Sequence, residues 1–263
     1  MESTQILGYI GALIVGLVLG LIGGGGSILT VPLLVYILGY NPVIATAYSL
    51  FVVGTSATVG TYQKHKKGLV DFKTGLMFSF PSFMAVYLSR RFLVPNIPEI
   101  LIAKGNFILT KDATIMILFA LIMAIASFSM IKTKKENTGN SINQSYYKTF
   151  LQGLAIGAIT GIIGAGGGFL YVPALVLWAN IPMKKAVGTS LIIVSINSLI
   201  GFIGDVQTLT IEWQFLLIFT AIAILGITLG VFLSKFISGE KLKRSFGYFI
   251  LIMAIYIIYK ELN

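Results

Sequence analysis

The sequence predicts an all-α polytopic membrane protein of two inverted-topology repeats. Each repeat holds about five helical segments, with short broken or re-entrant helices after Gly-rich loops. Three observations carry this expectation: a shortage of charge, one very long uncharged run and an internal duplication. Of 263 residues, 11% are charged and 56% hydrophobic, and the mean hydropathy is +0.92. A soluble domain carries about 25% charged residues. Cys is absent, which excludes a disulfide-built module and any thiolate metal site. The net charge is +10. Cytoplasmic loops of membrane proteins collect Lys and Arg, so this balance needs no nucleic acid.

After Glu2 the next charged residue is Lys64. The 61 uncharged residues between them would extend ~90 Å as one helix, three times a ~30 Å bilayer core. The run must therefore fold back. Gly23–Gly26 and the stretch Gly39-Tyr40-Asn41-Pro42 divide it into segments 6–22, 28–38 and 43–63. Segments at 72–93 and 113–131 complete the first half. Residues 132–147 are rich in Asn, Ser, Gly and Lys and read as a linker. The second half holds segments 149–164, 169–179, 186–204, 213–234 and 245–259. Segments 28–38 and 169–179 reach only ~17 Å, too short to span alone. Non-helical backbone beside them is tolerated at membrane depth only inside protein or along a water-filled cavity. Residues 1–5 hold an acid and no base, so segment 6–22 reads as retained structure and not a signal peptide.

The duplication is direct. Residues 16–60 and 157–201, shifted by 141 without gaps, agree at 16 of 45 positions. The matches include Gly16/Gly157, Gly20/Gly161, Gly23/Gly164, Gly25/Gly166, Gly26/Gly167, Pro32/Pro173 and Ala45/Ala186. The same shift pairs Asp71-Phe72 with Glu212-Trp213, and the pentapeptide LIMAI occurs at 121–125 and 251–255. Five segments per half is an odd number, so tandem halves must face opposite ways. Loop charges agree: one side collects 14 of the 19 bases and the other Arg90, Arg91, Lys104, Lys111 and Lys260. The positive-inside rule puts the 14 in the cytoplasm and both termini outside. Four of the five bases on the minority side fall between 90 and 111, which leaves the end of the fourth segment open.

The doubled pattern G-x-x-G-x-x-G-x-G-G, then V-P, then A-x-x-x-S-L, resembles the TauE/SafE sulfite exporter family. Its copies run from Gly16 to Pro32 with Ala45–Leu50, and from Gly157 to Pro173 with Ala186–Leu191. Ala165 departs from the first copy's Gly24, and Pro42 and Pro182 are offset by one position. The resemblance implies export of sulfite, sulfoacetate or a related organosulfonate, and does not choose among them.

The residues themselves suggest the chemistry. Each glycine stretch runs into a short helix, whose first turn offers unpaired N–H groups and partial positive charge. Two such ends meeting would form an anion site without Lys or Arg. Gly25, Gly26, Ser27, Gly166, Gly167 and Gly168 are the expected donors. The plainer reading of glycines here is helix packing, which is preferred for Gly16/Gly20, Gly157/Gly161 and Gly226/Gly230. Ser49 and Ser56 share one helix face, and Ser190 and Asn197 repeat that spacing. These four are expected to line the pathway, the alternative being hydrogen bonds within the bundle. No ionisable residue falls well inside a segment. Asp71 and Glu212, at segment starts, read as helix caps or as gating or coupling groups at opposite mouths. The Lys64–Lys67 run reads as a lipid anchor that could also gather anions.

There is no HExxH, no P-loop and no Ser/His/Asp set, so neither enzyme chemistry, a metal nor a cofactor is expected. The domain reading is 1–131 for the first repeat, 132–147 for a cytoplasmic linker and 148–263 for the second repeat. The expected function is a secondary transporter exporting a small anion across the cytoplasmic membrane by alternating access. A passive anion channel and a transport-inactive membrane scaffold are the alternatives. Its partners would be the small anionic substrate and membrane lipid, with no nucleic acid and room for a homodimer.

Overall fold

A computed structural model describes residues 3–24, 27–104, 107–132, 146–163, 167–177, 179 and 181–262. The elements are α1 (Ser3–Ile22), α2 (Ser27–Pro32), α3 (Pro42–His65), α4 (Phe72–Leu88), α5 (Val94–Asn96), β1 (Ile100–Lys104), β2 (Phe107–Thr110), α6 (Lys111–Lys132), α7 (Tyr146–Ile163), α8 (Gly168–Leu177), α9 (Met183–Val206), α10 (Trp213–Leu233) and α11 (Gly239–Leu262). Among the described residues, stretches of α1, α3, α6, α9 and α10 are long and apolar enough to cross a membrane.

The helix ends follow from local chemistry. Pro42 opens α3 behind Asn41, whose side chain accepts from the Val43 N–H at 2.8 Å. Asp71 caps α4 by accepting from the Thr74 N–H at 3.1 Å. The two short helices each carry an internal proline, Pro32 and Pro173, at positions paired by the repeat. A proline there lacks the N–H its turn needs. After Pro32 the helix widens into a π-type turn at Leu33–Ile37. A second wide turn, Ser89–Leu93, follows α4. Between the expected segments 72–93 and 113–131 lies the antiparallel β1–β2 hairpin, which the sequence reading did not anticipate.

The chain doubles back after α1. Leu33 lies against Gly11 and Leu38 against Gly8, so α2 and its wide turn run back along α1. The long helices pack between halves. The α1 helix lies along α10, α4 along α7, α3 along α9 and α6 along α11. The α1–α10 seam is made by small residues: Gly16 faces the backbone of Ala223, Gly20 that of Ile227 and Gly230, and Gly226 and Gly230 that of Leu13 and Leu17. Gly153, Gly157 and Gly161 bring α7 onto Phe78, Ser82 and Val86 of α4 in the same way. Such close approach lets dispersion and packing hold helices that hydrophobic burial cannot hold in lipid.

Helices α3 and α9 form the centre and run antiparallel. Gly201 meets Leu50, Gly54 meets Leu199, Thr58 bonds Ser195 at 2.6 Å, Gly60 meets Leu191, and Gly188 meets the Lys64 side chain. The outer faces are apolar. Leu76, Phe80, Met84 and Leu88 recur every fourth residue along α4 and are exposed, as are Leu217, Leu225, Leu229 and Phe232 on α10. Polar side chains are collected inside instead: Thr46, Ser49, Ser56, Thr189, Ser190, Asn197 and Ser198 are all buried on α3 and α9. An apolar exterior around a polar centre suits a lipid solvent.

Candidate functional site

The site is built where the two glycine turns reach the α3–α9 pair. Gly23, which follows α1, has φ +77° and lies against Val187 and Ser190. The next residue, Gly24, lies against Val194, midway along α9, and against Gly168, the first residue of α8. A Cβ on Gly24 would stand 1.9 Å from the Gly168 Cα, and one on Gly168 would stand 1.9 Å from the Gly24 Cα. Only glycine on both sides permits this approach. The Gly24 N–H donates to the Ser190 hydroxyl at 3.4 Å, and that hydroxyl donates to the Val187 carbonyl at 2.9 Å. Gly167 has φ +70° and its carbonyl accepts from the Leu170 and Tyr171 N–H groups, starting α8. Gly25, Gly26 and Gly166 lie outside the described residues, and of Ser27 only the backbone, heading α2, is described. The structure thus brings Gly24 and Gly168 together. Gly24 was not among the expected site residues, although it stands in the same glycine run.

Of the expected hydroxyls and amides, Ser190 lies against this contact and Asn197 reaches α8 through Tyr171. Ser190 supports the first turn, as above. Asn197 donates from Nδ2 to Ser82 Oγ at 2.8 Å and to Tyr171 Oη at 2.7 Å, and Ser82 and Tyr171 also bond each other. This network ties α9 to α4 and α8. Asn197 Oδ1 has no partner, and neither do the hydroxyls of Ser49, Ser56, Thr30 and Ser198. All five residues are 0–1% exposed. A buried polar group without a partner costs about 1–3 kcal/mol. Thr30 and Ser56 occupy the repeat positions of Tyr171 and Asn197. In one half these positions are bonded to each other; in the other both hydroxyls are free of partners.

Asp71 and Glu212 lie at opposite ends of the α3–α9 pair. Asp71 caps α4, its N–H donates to Thr189 Oγ1 at 2.9 Å, and its carboxylate is 3.7 Å from Lys185. Glu212 precedes α10 but makes no cap bond through its side chain. It accepts instead from the Tyr40 hydroxyl at 3.1 Å, and its N–H donates to Tyr48 Oη at 2.8 Å. Burial first, and then this carboxylate, hold the Tyr40 hydroxyl well above its usual range, so it stays protonated.

One expectation is corrected. Ionisable side chains do lie inside the bundle. Arg90 is 1% exposed and Asp205 3%. The guanidinium donates from Nε to both Asp205 oxygens, at 2.9 and 2.8 Å, and from Nη2 to Oδ2 at 2.5 Å. Nη2 also donates to Thr46 Oγ1 at 3.0 Å, and Nη1 reaches the Gly161 carbonyl at 3.5 Å. At the other end Lys64 is 2% exposed. The reason is geometric. The expected segment 43–63 ends one residue before Lys64, and the expected segment 186–204 ends one residue before Asp205. The helices run on to His65 and Val206, and in these last turns Lys64 and Asp205 are buried. Arg90 is thus no loop base, which relieves the count on the minority side. A lone acid one residue beyond an apolar run, with an Arg pair in the other half, was the available signal.

Comparison with known proteins agrees with this architecture. Residues 9–257 match the family described as Sulfite exporter TauE/SafE. The chain belongs to the TauE/SafE sulfite exporter family. Among TauE/SafE relatives, a probable membrane transporter protein of Xylella fastidiosa strain Temecula1 is 30% identical over 255 residues, 94% of this chain and 92% of that one. The probable membrane transporter protein YunE of Bacillus subtilis strain 168 is 31% identical, covering 89% of each chain. A probable membrane transporter protein of Haemophilus influenzae is 29% identical, covering 94% of each. No solved structure matches the chain. Membership makes the protein a multi-pass membrane transporter.

Proposed function

We propose that this transporter exports a small anion, sulfite or an organosulfonate such as sulfoacetate, by alternating access. The carrying observation is the buried centre, where Gly24 and Gly168 meet backbone to backbone beside α9. On α3 and α9, Ser49, Ser56 and Asn197 each keep a polar atom without a partner. The anion would be held between the two glycine turns. Donors would be the backbone N–H groups of Gly25, Gly26, Ser27, Gly166, Gly167 and Gly168, helped by Ser49, Ser56, Ser190 and the Nδ2 of Asn197. Hydroxyls and amides can take sulfite oxygens without fixed positive charge, so the anion can also leave. The antiparallel run of α3 and α9, which the repeat makes equivalent, supports inverted halves that rock about a fixed site. Asp71 and Glu212, tied to the opposite half through Thr189 and Tyr48, would move with that rocking.

The test is radiolabelled sulfite uptake into proteoliposomes, with and without a pH gradient. Saturable uptake that follows the gradient is expected. Uptake no greater than in empty liposomes, from folded protein, would remove sulfite; sulfoacetate tested the same way would then decide the class. A Ser49→Ala/Ser56→Ala variant is expected to lose at least tenfold in uptake while inserting normally. Wild-type uptake by that variant would sink the site assignment.

A further inference from the structure

Lys64 closes α3 in an unusual setting. Its ammonium has three protons to donate, and one goes to Ser234 Oγ at 2.7 Å. The Ser234 hydroxyl in turn donates to the Val231 carbonyl at 2.9 Å. Among the described residues no carboxylate lies within 4 Å of Lys64. Its charged neighbours are Lys67 and Lys184, both cations. Lys67 donates to the Val231 carbonyl at 3.1 Å, and Asp71, the nearby acid, faces Lys185. The carbonyls at the end of α3 offset part of the charge. They do not replace a counter-ion for a cation taken out of water.

The repeat sharpens the contrast. Shifted by 141, Lys64 falls on Asp205 and Arg90 falls on Val231. At one end of the α3–α9 pair this position holds an acid locked by an arginine; at the other it holds a lysine beside a valine. One end is neutralised within the chain, and at the other no carboxylate is found among the described residues.

We propose that Lys64 is an anion-receiving site, at which a small oxyanion arriving from the lysine-rich face completes the ammonium's donor set beside Lys67 and Lys184. The proposal rests on the transport reading only for the identity of the anion as sulfite. A lipid phosphate headgroup has the same chemistry. Sulfite binding is therefore measured by calorimetry on protein in phosphatidylcholine nanodiscs, and thermal midpoints are measured with and without phosphatidylglycerol. Wild-type protein is expected to bind sulfite saturably. Lys64→Gln should weaken binding at least tenfold, Lys64→Arg should keep most of it, and Lys260→Gln, at an exposed position of α11 away from the lysine-rich face, should change nothing. Equal binding by wild type and Lys64→Gln overturns the site. So does the absence of sulfite binding, whether or not phosphatidylglycerol raises the midpoint of wild type over that of Lys64→Gln; that shift would assign the lysine to lipid. Binding is read here without flux. Wild-type protein that binds but does not transport would remove the export reading and leave Lys64 standing, and transport with unaltered Lys64→Gln binding would do the reverse.

Discussion

At the scale of single residues, the closest constraint is the contact of Gly24 with Gly168. A methyl group on either falls inside the other's backbone, and overpacking of this kind typically costs about 1–3 kcal/mol. Gly168→Ala is therefore expected to lower the thermal midpoint in detergent and to reduce sulfite uptake more than tenfold. Gly39→Ala, where an added Cβ meets nothing although φ is +73°, should leave uptake within twofold. The buried ion pair gives a second prediction. Removing one partner leaves the other charge uncompensated, at about 3–5 kcal/mol, whereas removing both can be close to neutral. Asp205→Asn should thus destabilise the protein sharply, and Arg90→Met/Asp205→Leu should recover most of the loss. Paired thermal melts of the single and double variants decide it. A double variant no better than the single would show that the pair does more than neutralise itself.

At the scale of elements, the α1–α10 seam depends on its small residues. A Cβ on Gly230 would stand 2.1 Å from the Leu17 carbonyl, and one on Gly16 would stand 2.0 Å from that of Ala223. Gly230→Val should separate the helices and yield little monodisperse protein by size exclusion in detergent. Gly226-x-x-x-Gly230 was legible in the sequence as a packing pair, because small residues four apart share a helix face. The short helices were legible as short for the same local reasons, glycine before them and proline inside them. The wide turns after α2 and α4 were not, since a π-type turn depends on how neighbouring helices crowd the chain. Nor was the β1–β2 hairpin between the fourth and fifth expected segments.

At the scale of the whole molecule, the charge distribution predicts which face meets the cytoplasm. Lys64, Lys67, Lys184, Lys185 and Lys235 lie toward one end of the α3–α9 pair, and Glu212 and Asp205 toward the other. The chain has no Cys, so single cysteines can be placed without background. A membrane-impermeant thiol reagent applied to intact cells should label Thr208→Cys, and should label His65→Cys only after the cells are opened. The reverse pattern would invert the orientation and with it the export direction.

The sequence by itself determined the class, the segment count and the duplication. These are written in hydropathy, in glycine and proline, and in spacing that survives a fixed shift, all of which are properties of neighbouring residues. It also marked Ser49, Ser56, Ser190 and Asn197 by their repeated positions. Only the tertiary structure decided which polar groups are satisfied: Asn197 gained Ser82 and Tyr171, while Ser49 and Ser56 gained nothing. It alone also turned Arg90, Asp205 and Lys64 from ends of segments into buried charges. Burial and counter-ions are set by partners 115 to 170 residues away along the chain, and no local pattern encodes a distance across the bundle.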